Sequence, residues 1–293
     1  MSANRTIPRL VVLSMLLIIG SLSSCRELVE DEFLEFNPTP TINSILETGR
    51  FLEVHVSMAA KMDTQQLESN DNAEVILFMN GMLQEKLTNR GDGLYLSSCI
   101  VEPGNEYLCH IKIPGYKTLI CSDNVPYPCS DLQVSLNNNA GIDEEGSPYS
   151  SFSYSFISEP CKPQYYEIIL WLFNEYRGQI TKAKAPIYTI IDPILLNEGL
   201  PLAVFSNELI NGDSYTMTIN YRSGSTNKPM LVEFRSISYD FYTFLKQEYL
   251  YKAGRYPDIF EGVTGTFPLH SNVENGYGIF AAYSSVFSDT IYP

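Results

Sequence analysis

Short runs rich in β-branched and aromatic residues, each closed by a turn signal, dominate this chain from residue 51 onward. Phe51–Met58, Glu74–Asn80, Gly93–Ile100, Glu106–Ile113 and Tyr116–Cys121 each read as a strand, and no helix-period segment interrupts them. Asn80-Gly81 is a tight-hairpin signal, because both central residues of that turn need positive φ. Pro103-Gly104-Asn105 and Pro114-Gly115 mark two further turns. Strands recurring about every 8–12 residues predict a sandwich, immunoglobulin-like or transthyretin-like, over residues 41–125.

Pro126, Pro128 and the Asn137–Asn139 stretch with Gly141 predict a connection to a second β domain over residues 126–293. Its candidate strands are 151–158, 164–173, 186–191, 202–206, 214–222, 229–237 and 278–287. Phe152, Tyr154 and Phe156 alternate with serines, as in a strand with one buried face, whereas 165–173 is apolar on both faces apart from Glu167. Only residues 238–252 read as a helix: Ser238 caps it, Asp240 suits its positive end, and Gly254 follows as a stop. The expected fold is therefore mainly β, a sandwich followed by a larger β-sandwich or open barrel with one helix.

The N-terminus constrains the address. Arg5 and Arg9 precede the apolar run Leu10–Ile19, the order of a secretory signal peptide over residues 1–24. The run is about half of the ~20 residues that span a bilayer, so a permanent transmembrane helix is not expected. It ends in Leu22-Ser23-Ser24-Cys25, which resembles the lipobox of bacterial lipoproteins and implies acylation of Cys25 as the membrane anchor. Arg26, Glu27, Glu30, Asp31, Glu32 and Glu35 follow, so residues 25–40 read as a lipidated acidic tether, stiffened by Asn37-Pro38-Thr39-Pro40. A charged stretch beside the acylated Cys resembles the surface-export signal of Bacteroidota lipoproteins, which implies the outer membrane and its external face. The chain carries 34 acids against 19 Lys and Arg, net −15. Removing Arg5 and Arg9 with the signal takes this to −17, a sign that argues against nucleic-acid binding.

The run Phe205-Ser206-Asn207-Glu208-Leu209-Ile210-Asn211-Gly212-Asp213-Ser214-Tyr215, the Tyr-rich helix and the stretch Ser271–Ser284, with its Asn272-x-x-Asn275-Gly276-x-Gly278-Ile279-Phe280 core, carry a resemblance. Gly91-Asp92-Gly93-Leu94-Tyr95 and Pro103-Gly104-Asn105-Glu106-Tyr107 extend it to the N-terminal half. Together they resemble a Bacteroidota outer-membrane lipoprotein family of unknown function, domain-of-unknown-function family 4249. The resemblance implies genes near TonB-dependent transporters, and it supplies no catalytic residues. Read for themselves, Asn275-Gly276 predicts a positive-φ turn and Gly278 a close backbone approach ahead of a strand.

Motifs for chemistry are sparse. His55, His110 and His270 lack metal-pair spacing, and His-Glu-x-x-His, Gly-x-Ser-x-Gly and P-loop patterns are absent, so no catalytic residue, metal or cofactor is expected. Arg90-Gly91-Asp92 reads as a turn, and Asn70-Asp71-Asn72 and Asp143-Glu144-Glu145 as solvated loops. Cys99 and Cys109 are symmetric about Gly104, which suits a disulfide across a hairpin or two reduced core thiols on neighbouring strands. Cys121, Cys129 and Cys161 leave at least one thiol free. Tyr239, Tyr242, Tyr249 and Tyr251, with Tyr256 beyond, cannot all face the core, and they form the candidate recognition surface for a glycan or peptide.

The expected function is thus a non-catalytic surface lipoprotein that binds a ligand or partners a TonB-dependent transporter in nutrient uptake. The alternatives are a structural adhesin or fimbrial subunit, with Arg50-Phe51 as a processing site for strand exchange, and a surface hydrolase with a carboxylate pair.

Overall fold

The computed structural model describes residues 37–60, 68–159, 162–176, 178–222, 228–255 and 267–292. The signal peptide, Cys25, most of the tether, Cys161 and Tyr256 lie outside the described residues. The fold is mainly β, as the alternating runs predict. Strands β1 (Pro40–Glu47), β2 (Phe51–Met58), β3 (Glu68–Ser69), β4 (Glu74–Met79), β5 (Met82–Lys86), β6 (Thr88–Gly91), β7 (Leu94–Ile100), β8 (Glu106–Lys112) and β9 (Leu119–Asn124) make up the first half. The second half holds β10 (Gln133–Ile142), β11 (Pro148–Ile157), β12 (Tyr165–Tyr176), β13 (Gln179–Lys184), β14 (Ile187–Ile190), β15 (Val204–Ser206), β16 (Ser214–Arg222), β17 (Met230–Ile237) and β18 (Tyr277–Phe287). Among the described residues two helices join them, α1 (Pro193–Glu198) and α2 (Tyr239–Arg255).

One long sheet, ordered β13-β12-β17-β18-β1-β2-β7-β6, is the spine, with β15 added on β12 and β3 on β2. Two four-stranded sheets, β5-β4-β8-β9 and β10-β11-β16-β14, pack against it. The first closes a core in which Ile42, Leu52, Val54 and Tyr95 of the spine meet Val75, Leu77, Tyr107, Ile111 and Leu119. The second closes a core of Tyr166, Leu170, Val232 and Phe234 against Phe152, Tyr154, Met217 and Ile219. Partners across a ladder share a face, and Phe234 pairs with Val286. Phe280 and Ala282, at the same parity of β18, belong to the first core. Both small sheets therefore cover one face of the spine.

The expected boundary at residue 125 separates the chain but not the spine. β18, expected in the second domain, pairs with β17 on one side and runs parallel to β1 on the other, from Thr41↔Tyr277 to Glu47↔Tyr283. Residues 38–293 accordingly form one compact unit. A Cβ at Gly278 would overlap the Ile42 carbonyl, and its φ of 117° favours glycine, so the expected close approach is the β18–β1 seam itself. Of the Asn275-Gly276 pair, only Asn275 takes positive φ (61°). Gly276 is needed for space instead, since a side chain there would meet Leu119 and the Pro40 carbonyl.

The opposite face of the spine carries α2. Phe241 packs on Val204, Ile237, Ile279, Ala281 and Tyr283 in a third core. Ser238 caps the helix as predicted, its Oγ accepting from the Phe241 amide at 3.2 Å. Part of the tyrosine excess is structural. Tyr95, Tyr107, Tyr154 and Tyr166 are among the largest fully buried side chains. Their hydroxyls are bonded: Tyr107 accepts from the Glu102 amide (2.9 Å), Tyr154 donates to Tyr221 (2.9 Å) and Tyr166 to Gln164 (2.7 Å).

Candidate functional site

The aromatic site is built where α2 crosses the end of β12. The turn after β15 is held by one buried side chain, Asn207. Its Oδ1 accepts from the Gln164 amide (2.9 Å), and its Nδ2 donates to the carbonyls of Glu159 (3.0 Å) and Lys162 (2.9 Å). That ties Glu159, Lys162 and Gln164 to the end of β15. On the other side, Glu198 at the end of α1 accepts from the Ser206 amide (2.8 Å), from the Tyr242 hydroxyl (2.5 Å) and from Lys246 Nζ (2.8 Å). One carboxylate thus ties α1, β15 and α2 together. Burial pushes the Glu198 carboxyl up, but Lys246, Tyr242 and the Ser206 amide outweigh this and hold it below its usual range.

Between these braces lies a cleft of about 560 Å³, lined by Tyr165, Tyr239, Tyr242, Ser206, Glu208 and Lys162. The Tyr165 ring centroid is 5.4 Å from that of Tyr239 at 57°, and 4.9 Å from that of Tyr242 at 34°. The Tyr165 hydroxyl is pushed up by burial and then by Tyr239 and Glu208, and that of Tyr242 by burial and by Glu198. Both remain protonated donors at neutral pH. A hollow of about 200 Å³ adjoins the cleft across Lys162, Pro163 and Tyr165 and reaches Tyr127, which is 72% exposed. A separate hollow of about 350 Å³ between β14 and α1 is lined mainly by Ile187, Ile190, Leu195 and Leu200.

The cleft brings together two of the five tyrosines expected to form a recognition surface. Tyr239 and Tyr242, three residues apart on α2, both line it. Tyr249 and Tyr251 lie farther along the helix, half-buried and outside the lining. Nine residues separate Tyr251 from Tyr242, which at 3.6 residues per turn sets it on the opposite side. Tyr165, Ser206, Glu208, Lys162 and the bracing Asn207, Glu198 and Lys246 were not expected as site residues. Asn207 and Glu208 do fall in the 205–215 run, but nothing in sequence marks a buried bracing amide.

Of the two readings of Cys99 and Cys109, the disulfide does not form. β7 and β8 lie in different sheets, so residues 99–109 are not a hairpin, and both cysteines are free. The ladder instead sets Cys109 opposite Cys121, both free, their thiols pushed up by burial, that of Cys109 to about 12. Arg50 sits in the turn between β1 and β2, and β1 is an interior strand between β18 and β2, not an edge available for exchange. His55 Nε2 lies 3.0 Å from the Asp92 carbonyl, and the His110 ring lies against Phe78 (4.9 Å). Arg90-Gly91-Asp92 ends β6 and enters its turn, with φ of 93° at Gly91 and 52° at Asp92.

A second polar cluster lies on the same face of the spine as α2. Glu167 and Glu233 are buried there, and Arg235 reaches both, through Nη1 to Glu167 (2.9 Å) and Nε to Glu233 (2.6 Å). Trp171 Nε1 donates to Glu233 (2.6 Å), and Lys182 stands 3.8 Å from the indole centroid.

A family model described as Domain of unknown function (DUF4249) matches residues 27–287. The chain belongs to that family. In this DUF4249 chain Ser206, Asn207 and Glu208 of the 205–215 run line the cleft, and the Asn-Gly-x-Gly stretch leads into the β18–β1 seam at Tyr277 and Gly278. No curated protein matches it. Among solved structures, a β-glucuronidase from glycoside hydrolase family 2 is similar at 10% identity and a TM-score of 0.23, over 68% of this chain and 19% of that one. The FN1–FN3 domains of chicken CNTN1 are similar at 13% identity and a TM-score of 0.27, over 68% and 60%. The chain spans less than two thirds of either, and likenesses this slight carry nothing about activity.

Proposed function

We propose that this DUF4249 chain is a non-catalytic lipoprotein of the outer membrane, anchored through acylated Cys25 and facing the exterior. It binds a ligand in the tyrosine cleft and works beside a TonB-dependent transporter in nutrient uptake. The observation that carries the binding role is the cleft: three tyrosine rings, one bracing carboxylate, and a floor fixed by a buried asparagine. A site so rigidly braced is pre-organised for binding. The non-catalytic reading is supported by Glu198, held ionised in its pair with Lys246 and so a poor general acid. The anchor rests on the Leu22–Cys25 motif, the external face on the acidic tether, and the partner on what the family resemblance implies.

The test is affinity capture of the full chain from its own membranes after metabolic labelling with an alkynyl fatty acid. Label on the chain that is lost in Cys25→Ala, with a TonB-dependent transporter in the eluate, is the expected result. Unlabelled chain, or an eluate without a transporter, removes the anchor or the partner respectively. Tyr239→Ala should abolish capture of the ligand without removing the label.

A further inference from the structure

The cleft's charges point to the chemistry of its ligand, on the reading that the cleft is the binding site. Four ionised side chains line or brace it on its two sides in addition to Glu208, and all four are already paired. Lys162 Nζ lies 2.8 Å from Glu159 Oε2, and Lys246 Nζ lies 2.8 Å from Glu198 Oε2. Glu208 is exposed and has no ion-pair partner among the described residues. Among the described residues the uncompensated charge of the cleft is therefore one carboxylate. It lies close enough to the Tyr165 hydroxyl to act on it electrostatically, as does Tyr239.

The rings have a matching shape. Tyr165 is inclined by 57° to Tyr239 and by 34° to Tyr242, so the three do not make a flat platform. They make a concave aromatic corner, which suits a compact rounded group better than the flat face of a sugar ring. The same kind of contact is already present beside the cleft. Behind the cleft, the Lys246 ammonium sits 4.9 Å from the Tyr242 ring centroid and 2.8 Å from Glu198, a cation held by a tyrosine face and a carboxylate. In front of it, Tyr165, Tyr239 and Glu208 repeat the tyrosine and carboxylate parts of that arrangement, and no side chain among the described residues pairs with Glu208 to supply the cation.

We infer that the cleft binds the ammonium group of a ligand, seated against Tyr165 and Tyr239 and neutralised by Glu208. Lys162 is kept out of this role by Glu159. The net charge of −15 favours the approach of a cation over that of an anion.

The test is titration calorimetry of the full chain with choline and with its neutral isostere 3,3-dimethylbutan-1-ol. Trilysine serves as a peptide source of the same group, and maltohexaose as a neutral glycan. Choline or trilysine should bind about tenfold tighter than the neutral alcohol, and which of the two binds tighter separates a small amine from a lysine side chain. Glu208→Gln should reduce that affinity about tenfold. Glu159→Gln, which frees Lys162 to compete, should reduce it about threefold. Both variants should keep the parent melting temperature, since both sites are on the surface. Equal affinity for choline and the alcohol, or an unaltered Glu208→Gln variant, overturns the ammonium assignment. Maltohexaose binding that is lost in Tyr239→Ala would overturn that assignment while leaving the cleft as the site. Ligand binding indifferent to both Tyr239→Ala and Glu208→Gln would remove the cleft as well.

Discussion

Glu233 and Asp123 are almost equally buried, at 3% and 8% exposure, yet their carboxyls are shifted in opposite directions. Burial pushes Glu233 up too, but Arg235, Trp171 and Ser285 outweigh it, so the group lies below its usual range and stays charged. Asp123, on β9 of the first sandwich, has no cation beside it among the described residues. Oδ1 takes the Asn124 amide at 2.7 Å and Oδ2 makes no hydrogen bond. Burial pushes it up to about 7, with the Asp240 charge adding and the nearby Ser238 hydroxyl opposing. Partners, not depth, decide which form of a buried acid the fold selects.

The largest break in this comparison is Arg235→Met. It leaves Glu167 and Glu233 buried without their shared cation, and should cost about 4 kcal/mol in urea unfolding. Asp123→Asn should act the other way, raising stability at pH 8 by about 2 kcal/mol. The sign follows from linkage. The folded chain holds the Asp123 proton up to about pH 7, whereas an unfolded carboxyl loses it near 4, so stability falls as pH rises through that window and is level above it. The Asn variant should lack that fall. For Glu233 the slope is reversed: its stabilisation is full above the ordinary glutamate range and is lost as pH drops below it. Trp171→Phe removes one hydrogen bond to the same carboxylate and should cost about 1.5 kcal/mol in the same unfolding measurement. Lys184→Ala should cost less than about 0.5 kcal/mol, because Lys184 meets Glu167 at 3.4 Å from a side chain that is 57% exposed. A Lys184 effect as large as that of Arg235 would show that the cluster works as one network and not through its buried member.

Local signals carried much of the fold. The 51–58 and 214–222 runs are strands at the residues their patterns indicate, and Asn80 and Gly81 take positive φ (51° and 75°) as their hairpin demands. What depended on distant partners was not legible. Residues 40–47 hold two prolines' worth of linker signal in their approach, and they become β1 because β18 and β2 offer them a ladder. Residues 133–142, read as a connection, become β10 by pairing with β11. The six-residue α1 is too short to show a period, although Asp192 caps it at 2.9 Å and Gly199 ends it. The cleft was half legible: tyrosines three apart on a helix can be seen in sequence, but the turn and the braces facing them are brought there by the spine.

The parallel β18–β1 ladder has a consequence for how the chain is made. Thr48 bonds Ser284 across 236 residues, and the middle of the spine cannot zip until β18 has left the ribosome. Until then β1 presents one unsatisfied edge, and the first sandwich lacks Phe280 and Ala282 from its core. Contacts of such long range close slowly and leave strands open to wrong partners in the meantime. A chain wired in this way gains from being kept unfolded until synthesis is complete, which is the condition under which polypeptides are threaded across a membrane.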